Sequence, residues 1–254
     1  MYQRSYYKRL FLQYCAYGLT LCVSLSTGLA EDDYLTEEQL YGDFAEEPTL
    51  VPDPLESVNR LTFKFNDFIY MNVVKHIAKG YQQVTPDPVE RGASNFFKNL
   101  GYPVRLVGNL LQARIKGAWL ETERFAVNTT LGVVGVLPAA NRFERLQPLQ
   151  SEDMGQAFGA WGIGEGPYLV LPLLGPSNMR DLFGLVGDRA VNPLKDSYSV
   201  IGDSNVQTAF SATEFAVKSP TVMRIYSQMK TGAVDPYSSM KNGYSQKRRS
   251  MIEE

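Results

Sequence analysis

The stretch at residues 155–176, GQAFGAWGIGEGPYLVLPLLGP, sets the reading of the chain. Glycines stand at 155, 159, 162, 164 and 166, and the apolar run 168–174 follows, broken at Pro172 and closed by Gly175-Pro176. Glu165 is its only charge. Glycine admits positive φ and lets two backbones approach closely. A membrane-crossing helix needs roughly 20 unbroken apolar residues, whereas this run is short and carries a helix-breaking proline. Two readings remain: a glycine-rich turn feeding one buried strand or hairpin arm, or a rigid apolar loop lining a passage for an apolar molecule. Neither offers a nucleophile or a metal ligand.

Working toward the N-terminus, Asp53 reads as a helix cap, with Pro54 at the first helical position and Glu56 as a capping-box acid. In LESVNRLTFKFNDFIYMNVV, residues Leu55, Val58, Leu61, Phe65, Phe68, Ile69 and Val73 recur every three or four positions and define one apolar face. Phe63, Tyr70 and Met71 fall off that face, so the arc is wider than packing needs. A second packed neighbour or a lipid surface explains the excess. The same start recurs at Asp87-Pro88, with Glu90 three residues on, and more weakly at Asp235-Pro236.

Three helical pieces are expected between 88 and 131. The first ends near Leu100-Gly101. The second runs from Pro103 through Val104, Val107, Leu110 and Leu111. The third starts near Lys116 and sets Trp119, Phe125 and Ala126 against a charged side of Glu121, Glu123 and Arg124. The segment 131–137, LGVVGVL, is apolar and glycine-punctuated, and 141–150 is polar. Ser151 is read as the cap of a short helix reaching Phe158. Ser177 is read as the cap of a helix carrying Leu182, Phe183, Leu185 and Val186, stopped at Asn192-Pro193. Two further helices follow, 203–218 and 220–231, the second starting at Ser219-Pro220. The tail from Asp235, with Lys247, Arg248 and Arg249, reads as a frayed helix. The expected fold is all-α: one domain of short amphipathic helices at 53–231, then a C-terminal helix or tail at 232–254.

The balance of 25 basic and 27 acidic residues argues against a nucleic-acid partner. Fifteen tyrosines and thirteen phenylalanines suit a membrane–water boundary or a core equally. Residues 1–30 read as a secretory signal: Arg4, Lys8 and Arg9 precede an almost uncharged stretch, and Gly28-Leu29-Ala30 offers a cleavage site. Cys15 and Cys22 both fall inside it, so a chain cut after Ala30 carries no thiol. Cys22, after Leu19-Thr20-Leu21, is the alternative as a lipid attachment site, although Leu21 is larger than such a site prefers. Residues 31–52 are acidic without a basic residue and read as a solvated tether; holding the body off an anionic surface, or docking on a basic partner, is the functional version.

Enzyme chemistry finds no footing. His76 is the one histidine, no Ser sits in Gly-x-Ser-x-Gly, and Gly162-Ile-Gly-Glu-Gly166 is not a nucleotide loop. A zinc site has only that histidine and carboxylates to draw on. No cofactor is expected.

Four segments carry a family resemblance: DPLESVNRLTFKFND (53–67), RGASNFFKNLGYPVRLVGNLLQ (91–112), ERFAVNTTLGVVGVLPAA (123–140) and GAWGIGEGPYLVLPLLGPSNMRD (159–181). They resemble the MlaA/VacJ family, with Asp235-Pro236-Tyr237 similar to its C-terminal motif. The resemblance implies an all-helical ring in the inner leaflet of a Gram-negative outer membrane, on its periplasmic side. It implies a central amphipathic channel that takes mislocalised phospholipids from the outer leaflet to a periplasmic carrier, beside a trimeric porin, with no covalent chemistry. It places Phe65, Asn66 and Phe68 among residues that affect channel opening. It also places Gly159, Gly162, Gly164, Gly166, Pro167 and Tyr168 in the segment shaping the channel wall, with Asn128 a further polar candidate. A periplasmic lipid-binding protein, or a porin accessory without transport, is the alternative. The family is usually lipidated, and here the cysteine context and the acidic tether depart from its pattern.

Overall fold

The computed structural model describes residues 51–194 and 202–253. The expected signal, Cys22 and the acidic tether lie outside these residues. Helix α1 (Glu56–Ile69) passes through one wider, π-type turn (Tyr70–Val74) into α2 (Lys75–Val84) without a break. Then come α3 (Asp87–Leu100), α4 (Tyr102–Leu111), α5 (Ile115–Thr130) and two short 3₁₀ turns at Ala139–Arg142 and Glu144–Leu146. A short α6 (Met154–Ala160) delivers the chain to the glycine-rich segment and to strands β1 (Tyr168–Leu171) and β2 (Gly175–Asn178). Helices α7 (Met179–Val191), α8 (Ser204–Lys230) and α9 (Pro236–Glu253) follow. The all-α expectation holds, and the run after the glycines forms the half-buried arm of one antiparallel hairpin, as the glycine-rich-turn reading expects, Tyr168 facing Asn178 and Leu171 facing Gly175.

Burial runs opposite to the helical pattern read from α1. Asn59 and Asn66 are its buried residues, each 2% exposed, whereas Leu55, Val58, Leu61, Phe65, Phe68 and Val73 face outward, Leu61 at 69%. The residues off that face do have packed neighbours, Phe63 against the Tyr168–Tyr237 cluster and Tyr70 and Met71 against Val74, Ala78 and Met223, whereas most of the face itself stays exposed. Helix α5 repeats the inversion: Trp119 is exposed, and Glu121, expected on a solvated side, is buried and paired with Arg105 at 3.0 Å. Among the described residues, eighteen buried side chains are polar or charged and eighteen are apolar, while twenty-four large apolar side chains are exposed. A water-soluble chain of this composition gains most by burying those groups; here they cover the outside.

The apolar clusters are correspondingly small. Val74, Ala78 and Met223 join α2 to α8, and Tyr168, Val170 and Tyr237 join the hairpin to α9. Helices α6 and α7 pack almost backbone to backbone, since a Cβ on Gly184 would fall 2.4 Å from the Gly155 nitrogen. No helix among the described residues is long and apolar enough to cross a membrane.

Several expected boundaries move. Asp53 does not cap α1: its carboxylate accepts from the Asn59 amide at 2.9 Å and from the Tyr237 hydroxyl, and the helix starts uncapped after Leu55. Asp87 lies inside α3, behind Pro86. Asp235, the weakest of the three in sequence, is the one that caps, accepting from the Tyr237 backbone at 3.2 Å and the Ser238 hydroxyl at 2.7 Å. Asp153 replaces Ser151 as the cap of α6, and Asn178 replaces Ser177 as that of α7. The expected break at Ser219-Pro220 is absent. The Ala216 carbonyl, which loses its donor because proline has no N–H, accepts the Ser219 hydroxyl at 2.8 Å, and α8 runs on. The frayed tail is a packed helix with Arg248 buried.

Candidate functional site

Two asparagines seven residues apart on α1 read the edge of β1 as a paired strand would. Asn59 donates to the Tyr168 carbonyl at 2.9 Å and accepts the Val170 N–H at 2.9 Å. Asn66 donates to the Leu171 carbonyl at 2.8 Å and accepts the Leu173 N–H at 2.7 Å. An amide side chain carries both a donor and an acceptor, which is what an unpaired strand edge presents. Tyr70 extends the seam by donating to the Leu173 carbonyl at 2.9 Å, and burial pushes its hydroxyl up to about 12. Leu173 itself holds a left-handed backbone, φ 64°, at the hairpin turn.

The helix is tied from behind as well. Asp67 accepts from Tyr226 at 2.6 Å and from Lys230 at 2.5 Å, both on α8. Burial alone would raise this carboxyl, and the lysine and tyrosine donors more than offset it, leaving it below its ordinary value. Phe65 and Phe68 stand on the opposite side of the helix and are exposed, Phe68 at 62%. The polar face therefore holds the hairpin while the aromatic face stays outward.

The glycine-rich segment is anchored at both ends by one arginine. Arg248 reaches Asp153, just before α6, at 2.6 and 3.0 Å, and Asp181, in the first turn of α7, at 2.9 and 3.0 Å. Two such forked pairs fix orientation as well as charge. The Tyr244 hydroxyl donates to Asp181 at 2.6 Å, and Arg249 donates to Glu165 at 2.7 Å. Burial would raise Asp153, and the Arg248 charge outweighs it, holding the carboxyl below its ordinary value. Burial likewise drives the Tyr244 hydroxyl well up, reinforced by Asp181.

Between those anchors, Gly159 packs against Ile252 of α9. Gly162 and Gly166 take left-handed backbone, φ 83° and 67°. Gly162 and Gly164 face open space, where an added Cβ meets nothing within 4 Å. The Pro167 carbonyl accepts the Met179 N–H at 3.1 Å, and Tyr168 is 1% exposed. The structure thus brings Asn66, Tyr168 and the glycine-rich segment together through α1, with Phe65 and Phe68 on the far side of that helix. Asn128 stands apart. Its side chain accepts the Ala140 N–H at 2.9 Å, and it lines a largely polar cavity of about 160 Å³ with Lys98, Asn99, Arg105, Glu121 and Arg124.

Asn59, Tyr70 and the Arg248 cluster were not legible as site residues from the sequence. The seven-residue spacing of Asn59 and Asn66 is a usable signal, because it places both on one helix face. Arg248 carries no such mark. Among the described residues no group of three or more His, Cys, Asp or Glu is placed to hold a metal ion.

Fold and site define a mainly helical protein that, among the described residues, buries as many polar and charged side chains as apolar ones and leaves many large apolar side chains exposed. The family model described as MlaA lipoprotein matches residues 51–251, and the chain belongs to that family. It is 30% identical over 210 residues to an uncharacterized protein of Rickettsia bellii, covering 80% of this chain and 78% of that one. It is 33% identical over 138 residues to the intermembrane phospholipid transport system lipoprotein MlaA of Escherichia coli, and 32% over 139 residues to the Haemophilus influenzae protein of the same description. The alignments span just over half of each of these two relatives, 55% and 56%. A solved structure described as the structural basis for maintenance of bacterial outer membrane lipid asymmetry aligns with TM-score 0.66 at 25% identity, over 80% of this chain and 100% of that one.

Proposed function

We propose that this protein is the outer-membrane component of a phospholipid transport system, one that removes mislocalised phospholipids from the outer leaflet and so maintains lipid asymmetry. The lipid passes through an amphipathic channel to a periplasmic carrier, beside a trimeric porin, and no covalent bond changes. The observation that carries this reading is the inverted α1, polar on its buried face and aromatic on its exposed one. Such a helix is stable with its outer face in hydrocarbon and its polar face on protein. Phe65 and Phe68 border the lipid route, and Asn66 sets the hairpin against which it opens. Gly159, Gly162, Gly164, Gly166, Pro167 and Tyr168 form the wall, with Asn128 a polar contact farther along. Residues 1–30 are the export signal, 31–52 the tether, 53–231 the transport domain and 232–254 its C-terminal helix; Cys22 is the alternative anchor.

The test is a deletion strain of the source bacterium complemented with the full chain, with surface phospholipid measured by chemical labelling of intact cells. Excess surface phospholipid in the deletion, removed by the wild-type chain, supports the reading. Normal asymmetry without the chain overturns it. Release by carbonate would point instead to a periplasmic lipid-binding protein. Membrane retention without co-purified phospholipid would point to a porin accessory. Intact mass decides the anchor: a chain starting at Glu31 is unlipidated, and a triacylated Cys22 restores the family's usual form.

A further inference from the structure

The segment from Phe125 to Asn141 holds no charged residue, and its tip, 131–137, is the loop LGVVGVL. Leu131, Val133, Val134, Val136 and Leu137 are all exposed. Val133 and Val134 both adopt left-handed backbone, φ 53° and 58°, followed by Gly135 at 89°. That conformation is a genuine outlier for a β-branched residue. Asparagine or glycine would fold there with less strain and face water at lower cost. Neither local preference nor solubility therefore accounts for two valines.

The backbone of the loop is closed on itself. Six of its seven N–H groups donate within the segment: Leu131 and Gly132 to Val127, Val134 to Thr129, Gly135 to Asn128, Val136 to Val133 and Leu137 to Gly132, all at 2.8–3.3 Å. Asn95 donates to the Val136 carbonyl at 3.2 Å, and Asn99 lies directly beneath Gly135. Irregular backbone enters hydrocarbon only if its polar groups are already satisfied. A protein partner, by contrast, would ordinarily find about one hydrogen bond per 100–200 Å² of interface, and this tip presents no polar side chain to make one.

We propose that loop 131–137 is a rigid hydrocarbon anchor, inserted among the acyl chains of the leaflet on which the protein sits. The inference rests on the membrane reading above and assigns the insertion to this loop. Lipid contact compensates for the strained valines, and the asparagines beneath keep the tip from collapsing onto the protein.

Cys15 and Cys22 are the chain's only cysteines. In the full chain with both replaced by alanine, Val134→Cys and, separately, Leu61→Cys on α1 take an environment-sensitive fluorophore. Each is mixed with phosphatidylethanolamine/phosphatidylglycerol vesicles containing acyl-brominated lipid. Blue-shifted emission at 134, quenched at least as strongly as at 61, is expected. A water-like label at 134 with a lipid-like label at 61 overturns the anchor and leaves membrane residence standing. Water-like labels at both overturn the membrane reading, and the anchor with it. The double variant Val133→Asn/Val134→Asn should keep or raise the melting temperature and weaken vesicle binding about tenfold. Unchanged binding overturns the proposal.

Discussion

At the residue scale, Asn66 is the more exacting member of the aromatic-amide cluster on α1. Asn66→Ala leaves the Leu171 carbonyl and the Leu173 N–H without their partner, and each buried orphan costs about 1–3 kcal/mol. We expect a loss of about 2–6 kcal/mol in detergent-solubilised protein, read as a lowered thermal midpoint. Phe65→Ala, one residue away and exposed, should change stability by less than about 0.5 kcal/mol while reducing lipid transport. Equal destabilisation by the two variants would refute the division of the helix into a holding face and a lipid face. Arg248→Met removes the cation that bridges Asp153 and Asp181, leaving Asp181 with the Arg180 cation at 3.0 Å; loss of a partner typically costs about 3–5 kcal/mol at buried pairs.

Arg248 also sets a pH dependence whose sign is testable. With the arginine present, Asp153 sits below its ordinary value of 3.8. Its contribution is therefore complete above that pH and is lost as the pH falls toward the lower, folded-state value. In Arg248→Met the burial that Arg248 had outweighed now dominates and raises Asp153. The variant should then lose stability, relative to acid conditions, as the pH rises through 4 toward 7. Melting curves from pH 3 to 7 on both proteins check this, and parallel profiles would rule out the coupling.

At the scale of elements, α8 tests how a proline is accommodated in a helix interior. Pro220→Ala restores an N–H to the Ala216 carbonyl, now served by the Ser219 hydroxyl. Interior proline costs about 3 kcal/mol or more, part of it already relieved here, so a gain of about 1–2 kcal/mol is expected. Ser219→Ala alone should lose about 1 kcal/mol, measured by denaturant or thermal unfolding. A Pro220→Ala variant that is less stable than wild type would mean that the proline fixes a bend the packing needs. The glycine-rich element makes the complementary case. Because Gly164 faces open space, Gly164→Leu should fold normally and impair transport, seen as surface phospholipid in complemented cells. Normal asymmetry in that strain would remove Gly164 from the proposed channel wall.

At the scale of the molecule, the outward aromatic and aliphatic side chains and the polar seam belong to one design. On the proposed function, each face of α1 and α5 meets its own medium, protein on one side and hydrocarbon on the other. Leu61→Asp on the exposed face should leave the fold intact and shift the protein from the membrane toward the carbonate-soluble fraction. Persistence in the membrane would show that α1 does not contribute to retention.

The sequence by itself determined the helical class, most helix positions between 55 and 191, the uncharged glycine-rich segment and the family resemblance. Those signals are local: periodicity, prolines, glycines and contiguous motifs survive without knowledge of what surrounds them. It did not determine which face of a helix is the inner one. An amphipathic pattern is symmetric between a helix packed in water and one laid against lipid, and only the tertiary arrangement of Asn59 and Asn66 on β1 breaks that symmetry. The capping signal at Asp87 failed because the helix starts one residue earlier than a cap there requires, and that at Asp53 because a carboxylate beside a helix start serves any donor that folding brings to it, here Asn59 and Tyr237. Arg248 was invisible for the same reason: its partners Asp153 and Asp181 lie 95 and 67 residues away, and only the packing of α9 against α6 and α7 brings them together.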